Sequence, residues 1–405
     1  MLTGRRYLLA LTPEQTGYAE TVAAICRAVW NTALEQRREY RRRGAWVTYV
    51  EQARQLADAT RDPDCGWLAE APSHPLQQTL RDLDKACRAH GTWKVRWRSK
   101  RTSSLSFRFP DSNQIGVRRL NRRWGEVRLP KFGPVRFRWT RPIGGAIRNA
   151  TVRRDGGRWY ISLCVEDGVA EAAPNGHPPI GVDLGVAVAV ATSSGDLYDR
   201  QFATAGEATR LKRLQQRLSR SARTHGCHRR STRRDAVRAQ LIRLNARIRD
   251  RRGDFASQTA GRLVRDHGMV AVEDLRPAAM TRSAKGTVEQ PGRKVRQKAG
   301  LNRAILAKGW GGFVLKLEQA SRYHGAIVVK VNPAYTSQTC NACKHVARQS
   351  RESQAVFRCV ACGHQINADV NAAKNILAAG LAVAGRGDLA IGRSVKRQPP
   401  ERLVA

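Results

Sequence analysis

Acidic residues are scarce in this 405-residue sequence: 33 Asp and Glu stand against 73 Lys and Arg, giving a formal net charge of +40 and a pI near 11.3. Such an imbalance excludes an ordinary near-neutral enzyme and implies a polyanionic partner. Long apolar runs are also missing. No stretch approaches the roughly 18 to 20 residues that span a bilayer. Met1 to Pro13 lacks the apolar stretch and small-residue cleavage site of a signal peptide. No membrane partner is expected, and the chain reads as cytoplasmic and bound to nucleic acid. Internal repeats are absent. At roughly 100 to 200 residues per domain, the length allows two to four domains, each with its own core.

What is present is periodic. A short apolar segment in residues 1–11 precedes Pro13 to Arg43, where Val22, Ile25, Val29 and Ala33 recur at helical spacing. A second helix is predicted from Pro75 to His90, with Leu76, Leu80, Leu83 and Cys87 on one stripe and Gly91 at its end. Residues 12–100 therefore read as a helical unit. From 101 to 170 the pattern changes to alternating runs, Ser106–Phe109, Val135–Trp139 and Arg158–Leu163, which predict antiparallel strands in a small barrel or sandwich. Basic and aromatic residues alternate with their apolar face, as phosphate contact and base stacking require. A polar, Pro-rich linker at 171–179 marks a domain boundary.

Beyond it, Ile180–Ala191, a Ser193-Ser194-Gly195 turn and Leu197–Phe202 read as strand, hairpin and further strand. Residues 206–252 form a basic helical region in which Leu211, Leu214 and Leu218, then Leu241, Leu244 and Ile248, recur at three and four. Between Arg210 and Arg252 there are 16 Lys and Arg against two Asp. The two halves are expected to pair through leucine with arginine outward, where phosphate would relieve the repulsion. Arg210, Arg213, Arg217, Arg220, Arg230 and Arg234, with Arg96 and Arg98 in the helical unit, are the candidate nucleic-acid contacts. Then come a buried strand at Gly268–Leu275, a mobile loop at 276–299, a helix at Leu301–His324 despite Gly309, Gly311 and Gly312, a strand at Ala326–Val331 and a helix at Asp369–Ala384.

Nine cysteines divide into two classes. Cys26, Cys65, Cys87, Cys164 and Cys227 are scattered and read as reduced thiols acting as small buried hydrophobes. Cys340, Cys343, Cys359 and Cys362 form two C-x-x-C knuckles separated by 15 residues. Four thiolates complete the closed tetrahedral shell of one structural Zn²⁺, leaving no open catalytic position. His345 and His364 lie beside the knuckles but are surplus to that shell.

Three acids stand where chemistry would favour them. Asp183 interrupts an apolar strand, Glu273 ends another, and Asp369 opens the helix after the cysteines. A carboxylate in a buried strand is penalised unless it is paired or binds a cation. If both strands share a sheet and the helix packs across their ends, the three would hold a pair of Mg²⁺ ions, or Mn²⁺, about 4 Å apart for phosphodiester hydrolysis. Taken singly, a hairpin cap, a salt bridge and a helix-dipole contact would explain them equally. Asp274 adjoins Glu273, and neighbouring strand residues face opposite ways, so only one of the two can serve.

Gly181-Val-Asp-Leu-Gly185, Val272-Glu-Asp-Leu275 and Asn367–Ile376, with the four-cysteine segment just before the third, resemble the three split RuvC motifs and zinc ribbon of the TnpB family and of miniature type V CRISPR effectors. Leu301–Phe313 and Tyr335–Cys340 resemble the same family, and the similarity runs from about Leu80 to Gly385. The resemblance implies a multidomain α/β protein: an RNase H/RuvC-like nuclease domain with an inserted zinc ribbon, and an N-terminal wedge-like β-barrel with a helical recognition insert. It places the first wedge strand at 1–11, the recognition unit at 12–100 and the wedge at 101–170. The nuclease then spans 180–334, the zinc ribbon 335–366, the third motif 367–385 and a tail 386–405. It assigns Asp183, Glu273 and Asp369 as the catalytic acids, choosing Glu273 over Asp274. It also implies a guide RNA, a double-stranded DNA target next to a short motif, and a bacterial or archaeal cytoplasm. One departure is Lys344, where the family usually has Gly after the first knuckle. Two rival expectations are an RNA-guided protein that occupies DNA without cutting and, from Gly181–Gly185 alone, an actin-like ATPase.

Overall fold

The computed structural model describes residues 1–100, 103–225 and 231–385. Cys227, Arg230 and the tail at 386–405 lie outside the described residues. The chain divides into two compact units, residues 1–170 with 214–246, and 171–213 with 247 onward.

The first unit opens with strand β1 (Leu2–Ala10), followed by helices α1 (Pro13–Arg42), α2 (Tyr49–Arg61) and α3 (Ser73–His90). Thr12 and Gln15 form a capping box at the start of α1, with Pro13 at its first position, and Thr48 and Glu51 form another at α2. Helix α2 was not anticipated: its stripe of Tyr49, Ala53, Leu56 and Ala59 is only partly buried against the core, and Gln52 is its one buried residue. Strands β2 (Ser106–Phe109), β3 (Gly116–Arg119), β4 (Trp124–Leu129), β5 (Gly133–Arg138), β6 (Ala146–Asp155) and β7 (Arg158–Glu166) follow. With β1 they make one antiparallel sheet in the order β2-β6-β7-β1-β5-β4-β3. Strand β1 joins its halves, pairing with β7 through Leu2–Leu8 and with β5 at Leu9 and Ala10. Among the described residues its edges, β2 and β3, do not pair with each other, so of the small barrel or sandwich expected from the sequence a closed barrel is not shown. Val22, Ile25, Val29 and Leu34 of α1 and Leu76, Leu80 and Leu83 of α3 share one core with Tyr7, Phe107, Phe109, Phe137 and Ile161 of the sheet.

The second unit contains strands β8 (Pro179–Asp183), β9 (Val190–Thr192) and β10 (Leu197–Tyr198). Helices α4 (Ala205–His225) and α5 (Thr232–Asp266) each have residues assigned to both units. Strand β11 (Met269–Glu273), helices α6 (Pro277–Met280), α7 (Val295–Lys308) and α8 (Trp310–His324), and strand β12 (Ile327–Val331) come next. Last are β13 (Val356–Arg358), β14 (Gln365–Asn367) and helix α9 (Ala368–Gly385). The sheet order is β10-β9-β8-β11-β12, with β8, β11 and β12 parallel. The apolar run 180–191 breaks after Asp183, and β9 returns antiparallel to β8.

Alternation sorts the two faces of this sheet. Ile180, Val182, Val270 and Val272 pack against Ala260, Leu263 and Val264 of α5 and Phe313 and Leu317 of α8. Ala271, Val329 and Val331 pack on the other side against Ile376 of α9. The helix expected at Leu301–His324 is two helices, because Gly309 is left-handed (φ 72°) and a side chain there would meet Arg252 Cδ at 2.7 Å. The loop expected at 276–299 carries one helical turn, a bridge between Gly286 and Pro291, and the start of α7. No helix among the described residues is long and apolar enough to cross a membrane.

Candidate active site

The ladder between β8 and β11 pairs Gly181 with Ala271 and Val182 with Val272. Asp183 and Glu273 are each the next residue, so two acids end neighbouring parallel strands at one level. Side chains alternate along a strand, and Ala271 faces α9, so Glu273 faces α9 as well. Asp274 takes the other face and is exposed. Of the two acids, Glu273 is therefore the one on the face that α9 covers.

Helix α9 supplies the third acid. A side chain at Gly181 would meet the Ala373 carbonyl oxygen at 2.0 Å, and one at Gly380 would meet Ala271 Cβ at 2.5 Å. These two glycines let the helix lie directly on β8 and β11. Asn367 caps the helix, its Oδ1 accepting from the Asp369 and Val370 amides at 3.0 and 3.1 Å. Asp369 is thereby held in the first turn, buried, with Oδ2 about 3.6 Å from the position of a Cβ on Gly185.

The electrostatics record the convergence. Burial pushes the Asp183 carboxyl from its ordinary 3.8 up to about 7, and the charges of Glu273 and Asp369 raise it further. Burial also raises Glu273 and Asp369. Two neighbours oppose the trend: Thr336 donates its hydroxyl to Glu273 Oε1, and Arg351 Nη2 pairs with Asp369 Oδ1 at 3.1 Å. Sequence reasoning missed both, together with Asn371 and Asn375. Asn375 donates to the Thr336 and Thr339 carbonyls at 3.0 and 2.7 Å, and Asn371 donates to the Thr339 carbonyl at 2.8 Å. These buried amides tie α9 to the segment that carries Thr336. The repeated Asn in the third motif was the available signal.

The four cysteine sulfurs lie within 4.8 Å of one another, the one such group of Cys, His, Asp or Glu among the described residues. Zn–S bonds of about 2.3 Å give a tetrahedral edge of about 3.8 Å. The Cys340–Cys362 and Cys343–Cys359 sulfurs are 3.8 and 3.5 Å apart, so the donor set fits zinc. His345 and His364 are not in the group. The knuckles are matched: the Cys340 amide donates to the His345 carbonyl and the Cys359 amide to that of His364. Lys344 at φ 65° occupies the left-handed position that Gly363 takes at φ 72°. The oxygens of Asp183, Glu273 and Asp369 do not all lie within the 4.8 Å that holds the sulfurs together, and Asp369 Oδ1 pairs with Arg351.

The other predicted residues separate. In the first unit, Arg96, Arg217 and Arg220 are exposed and Arg234 is half-buried. Arg98 is half-buried, with its guanidinium 3.6 Å from the Trp30 ring centroid. In the second unit Arg210 and Arg213 are exposed. Of the stripe read from the sequence, Leu214 and Leu244 are buried and Leu211, Leu218, Leu241 and Ile248 half-buried. Of the scattered cysteines, Cys26 and Cys87 are buried and Cys65 and Cys164 half-buried.

Three family models match: "Probable transposase" over residues 162–284, "Cas12f1-like, TNB domain" over 310–376 and "Helix-turn-helix domain" over 1–45. Residues 1–45 hold β1 and the single helix α1 in this structure. The chain is 36% identical over 387 residues to the "Putative RNA-guided DNA endonuclease InsQ" of Escherichia coli (strain K12), covering 95% of this chain and 94% of that protein. The chain belongs to the TnpB family. A second relative of this TnpB-family chain, from Streptomyces pristinaespiralis and named "Putative RNA-guided DNA endonuclease", is 30% identical and covers 99% of this chain and 96% of its own length. The fold is shared with the protein in the "Cryo-EM structure of the Cas12f1-sgRNA-target DNA complex", with a TM-score of 0.56 and 14% identity, over 91% of this chain and 83% of that one. Family membership sets aside the actin-like ATPase expectation.

Proposed function

We propose that this TnpB-family chain is an RNA-guided DNA endonuclease whose reaction centre is Asp183, Glu273 and Asp369. The observation that carries the reading is their placement: two acids end adjacent parallel strands on one face, and α9 brings the third to that face. Their raised pKa values come first from burial, and for Asp183 also from the two neighbouring acids, so the ionised forms lack solvation that a bound cation would replace. Divalent magnesium, or manganese, fits that hard oxygen donor set and, when bound, supplies charge to the attacking water and the leaving oxygen.

The remaining work belongs to the protein. Asp183 and Glu273 are fixed by the ladder and Asp369 by its cap, which orients their oxygens before substrate arrives. Thr336 keeps the Glu273 carboxylate aimed, and Arg351 supplies Asp369 with a counter-charge. The zinc ribbon at 335–366, held by Cys340, Cys343, Cys359 and Cys362, positions Thr336 and Arg351 and takes no part in bond breaking. The guide RNA reads the DNA target by base pairing while the basic surface, including Arg210, Arg213, Arg217 and Arg220, carries the phosphates. The helical unit at 12–100 acts in recognition, the strands at 101–170 as the wedge and 180–334 as the nuclease, in the cytoplasm beside the chromosome.

The test uses the full chain purified with the RNA it carries, magnesium, and a plasmid library bearing the sequence complementary to the guide portion of that RNA next to a randomised short motif. Wild type linearises members of the library; Asp183→Ala yields no product yet retains RNA. Product from Asp183→Ala, or loss of RNA together with cleavage, defeats the assignment.

A further inference from the structure

The segment 92–98, between α3 and β2, is clamped to α1 by four hydrogen bonds. Trp30 Nε1 donates to the Arg96 carbonyl at 3.2 Å and Arg38 Nη2 to the Val95 carbonyl at 2.9 Å. Asn31 Nδ2 donates to the Arg98 carbonyl at 3.0 Å, and Oδ1 accepts the Arg98 amide at 2.9 Å. Thr92 and Val95 are buried by this clamp, yet Trp93 and Trp97 on either side of Val95 remain 57% and 44% exposed. Trp46, just beyond the end of α1, is 47% exposed and lines a shallow depression together with Arg41 and Thr92. A clamped segment that turns two indoles outward, beside the exposed Trp46, is an interaction surface, because tryptophan normally buries its ring in a core or an interface.

The surroundings specify the partner. Arg38 lies 5.1 Å from the Trp97 ring centroid and 5.9 Å from that of Trp93; Arg42 lies 5.8 Å from Trp93 and Arg41 3.8 Å from Trp46. Each ring therefore has a guanidinium over one face and its other face to offer, and Arg41 and Arg42, the latter paired with Glu39, are exposed where a phosphate could join them. Aromatic faces alternating with arginines fit unstacked bases on a polyanionic strand, and a duplex presents no such free base face.

We propose that Trp46, Trp93 and Trp97, with Arg38, Arg41 and Arg42, form a stacking platform for unpaired nucleotides of the RNA that the protein carries. The proposal rests on the RNA-guided reading above, since a patch exposed at all times needs the partner present at all times. Target DNA meets the protein as a duplex and offers unpaired bases only after opening.

Two measurements on the full chain test it. Ultraviolet crosslinking of the RNA-loaded protein before DNA is added should map Trp93 and Trp97 to single-stranded nucleotides of that RNA. Crosslinks confined to paired nucleotides, or appearing only once DNA is present, would overturn the proposal. For a uridine homopolymer, Trp93→Ala/Trp97→Ala should weaken binding by about tenfold or more with little change in salt dependence, because stacking is lost and charge kept. Trp93→Phe/Trp97→Phe should recover most of the affinity. Equal affinity of the alanine variant and wild type, or tighter binding of a thymidine homopolymer than of the RNA, would refute it. Failure of the endonuclease reading shows separately, as RNA-loaded wild type that crosslinks as expected and leaves the plasmid library intact.

Discussion

Replacing Asp183 by Asn should make the magnesium-free protein more stable while abolishing cleavage. The folded-state carboxyl titrates near 7 against an ordinary 3.8. Below 3.8 it is protonated in both folded and unfolded chains, and the acid carries no penalty. As pH rises from 3.8 to 7 the unfolded chain ionises first, so stability falls across that window and the full penalty is present above 7. At about 1.4 kcal/mol per pH unit the ceiling is about 4 kcal/mol. The charge also accepts a hydrogen bond from the Leu184 amide, which Asn would keep only in part, so about 1 to 3 kcal/mol should be realised. For a unit of this size, that corresponds to a melting shift of roughly 3 to 10 °C. The assay is thermal melting of both proteins in magnesium-free buffer at pH 5 and pH 8. The variant should gain little at pH 5 and most at pH 8, and added magnesium should stabilise wild type alone. A variant no more stable than wild type at pH 8 would refute the account of a crowded, charge-starved carboxylate site.

Other perturbations follow from single contacts. Gly181→Ala places a methyl carbon 2.0 Å from the Ala373 carbonyl oxygen, so α9 must shift. Cleavage should be lost and stability should fall by about 2 kcal/mol or more in chemical denaturation; a variant with normal activity would contradict the seating of α9. Arg351→Ala removes the cation that competes for Asp369, so the magnesium needed for half-maximal metal-induced stabilisation should drop by about fivefold, for a pair worth about 1 kcal/mol; an unchanged requirement would detach Arg351 from the site. Lys344→Gly relieves a left-handed lysine at φ 65° and should raise the stability of the ribbon by about 1 kcal/mol, with one zinc per chain retained by elemental analysis. RNA affinity should fall steeply with salt through counterion release, and a flat response would contradict the charged-surface reading.

The acids and the cysteines were legible because their signals are local. An acid that breaks an apolar run, and a pair of knuckles, need no knowledge of distant partners. Alternation showed that Glu273 and Asp274 face opposite ways, but which of them faces α9 needed the packing of Ala271. What stayed hidden was set by tertiary contact or by one residue's backbone. Arg351 reads as one arginine among many until the ribbon folds it against Asp369. Thr336 looks like a turn residue until Asn375 holds its carbonyl. Gly309 sits inside an unbroken helical stripe, and its positive φ, packed against Arg252, splits the helix. The asparagines of α9 were visible as letters, but their task depends on carbonyls some thirty to forty residues upstream.

The proposed reaction centre draws on β8, β11 and α9, with most of the second unit and the ribbon threaded between the first acid and the last. A ribosome making this chain exposes the arginine-rich helices well before it has built the residue that completes the scissors. On the proposed reading, a growing or truncated polypeptide can gather RNA yet has nothing with which to cut, so the cell meets the binder first and the blade only when translation has passed residue 369.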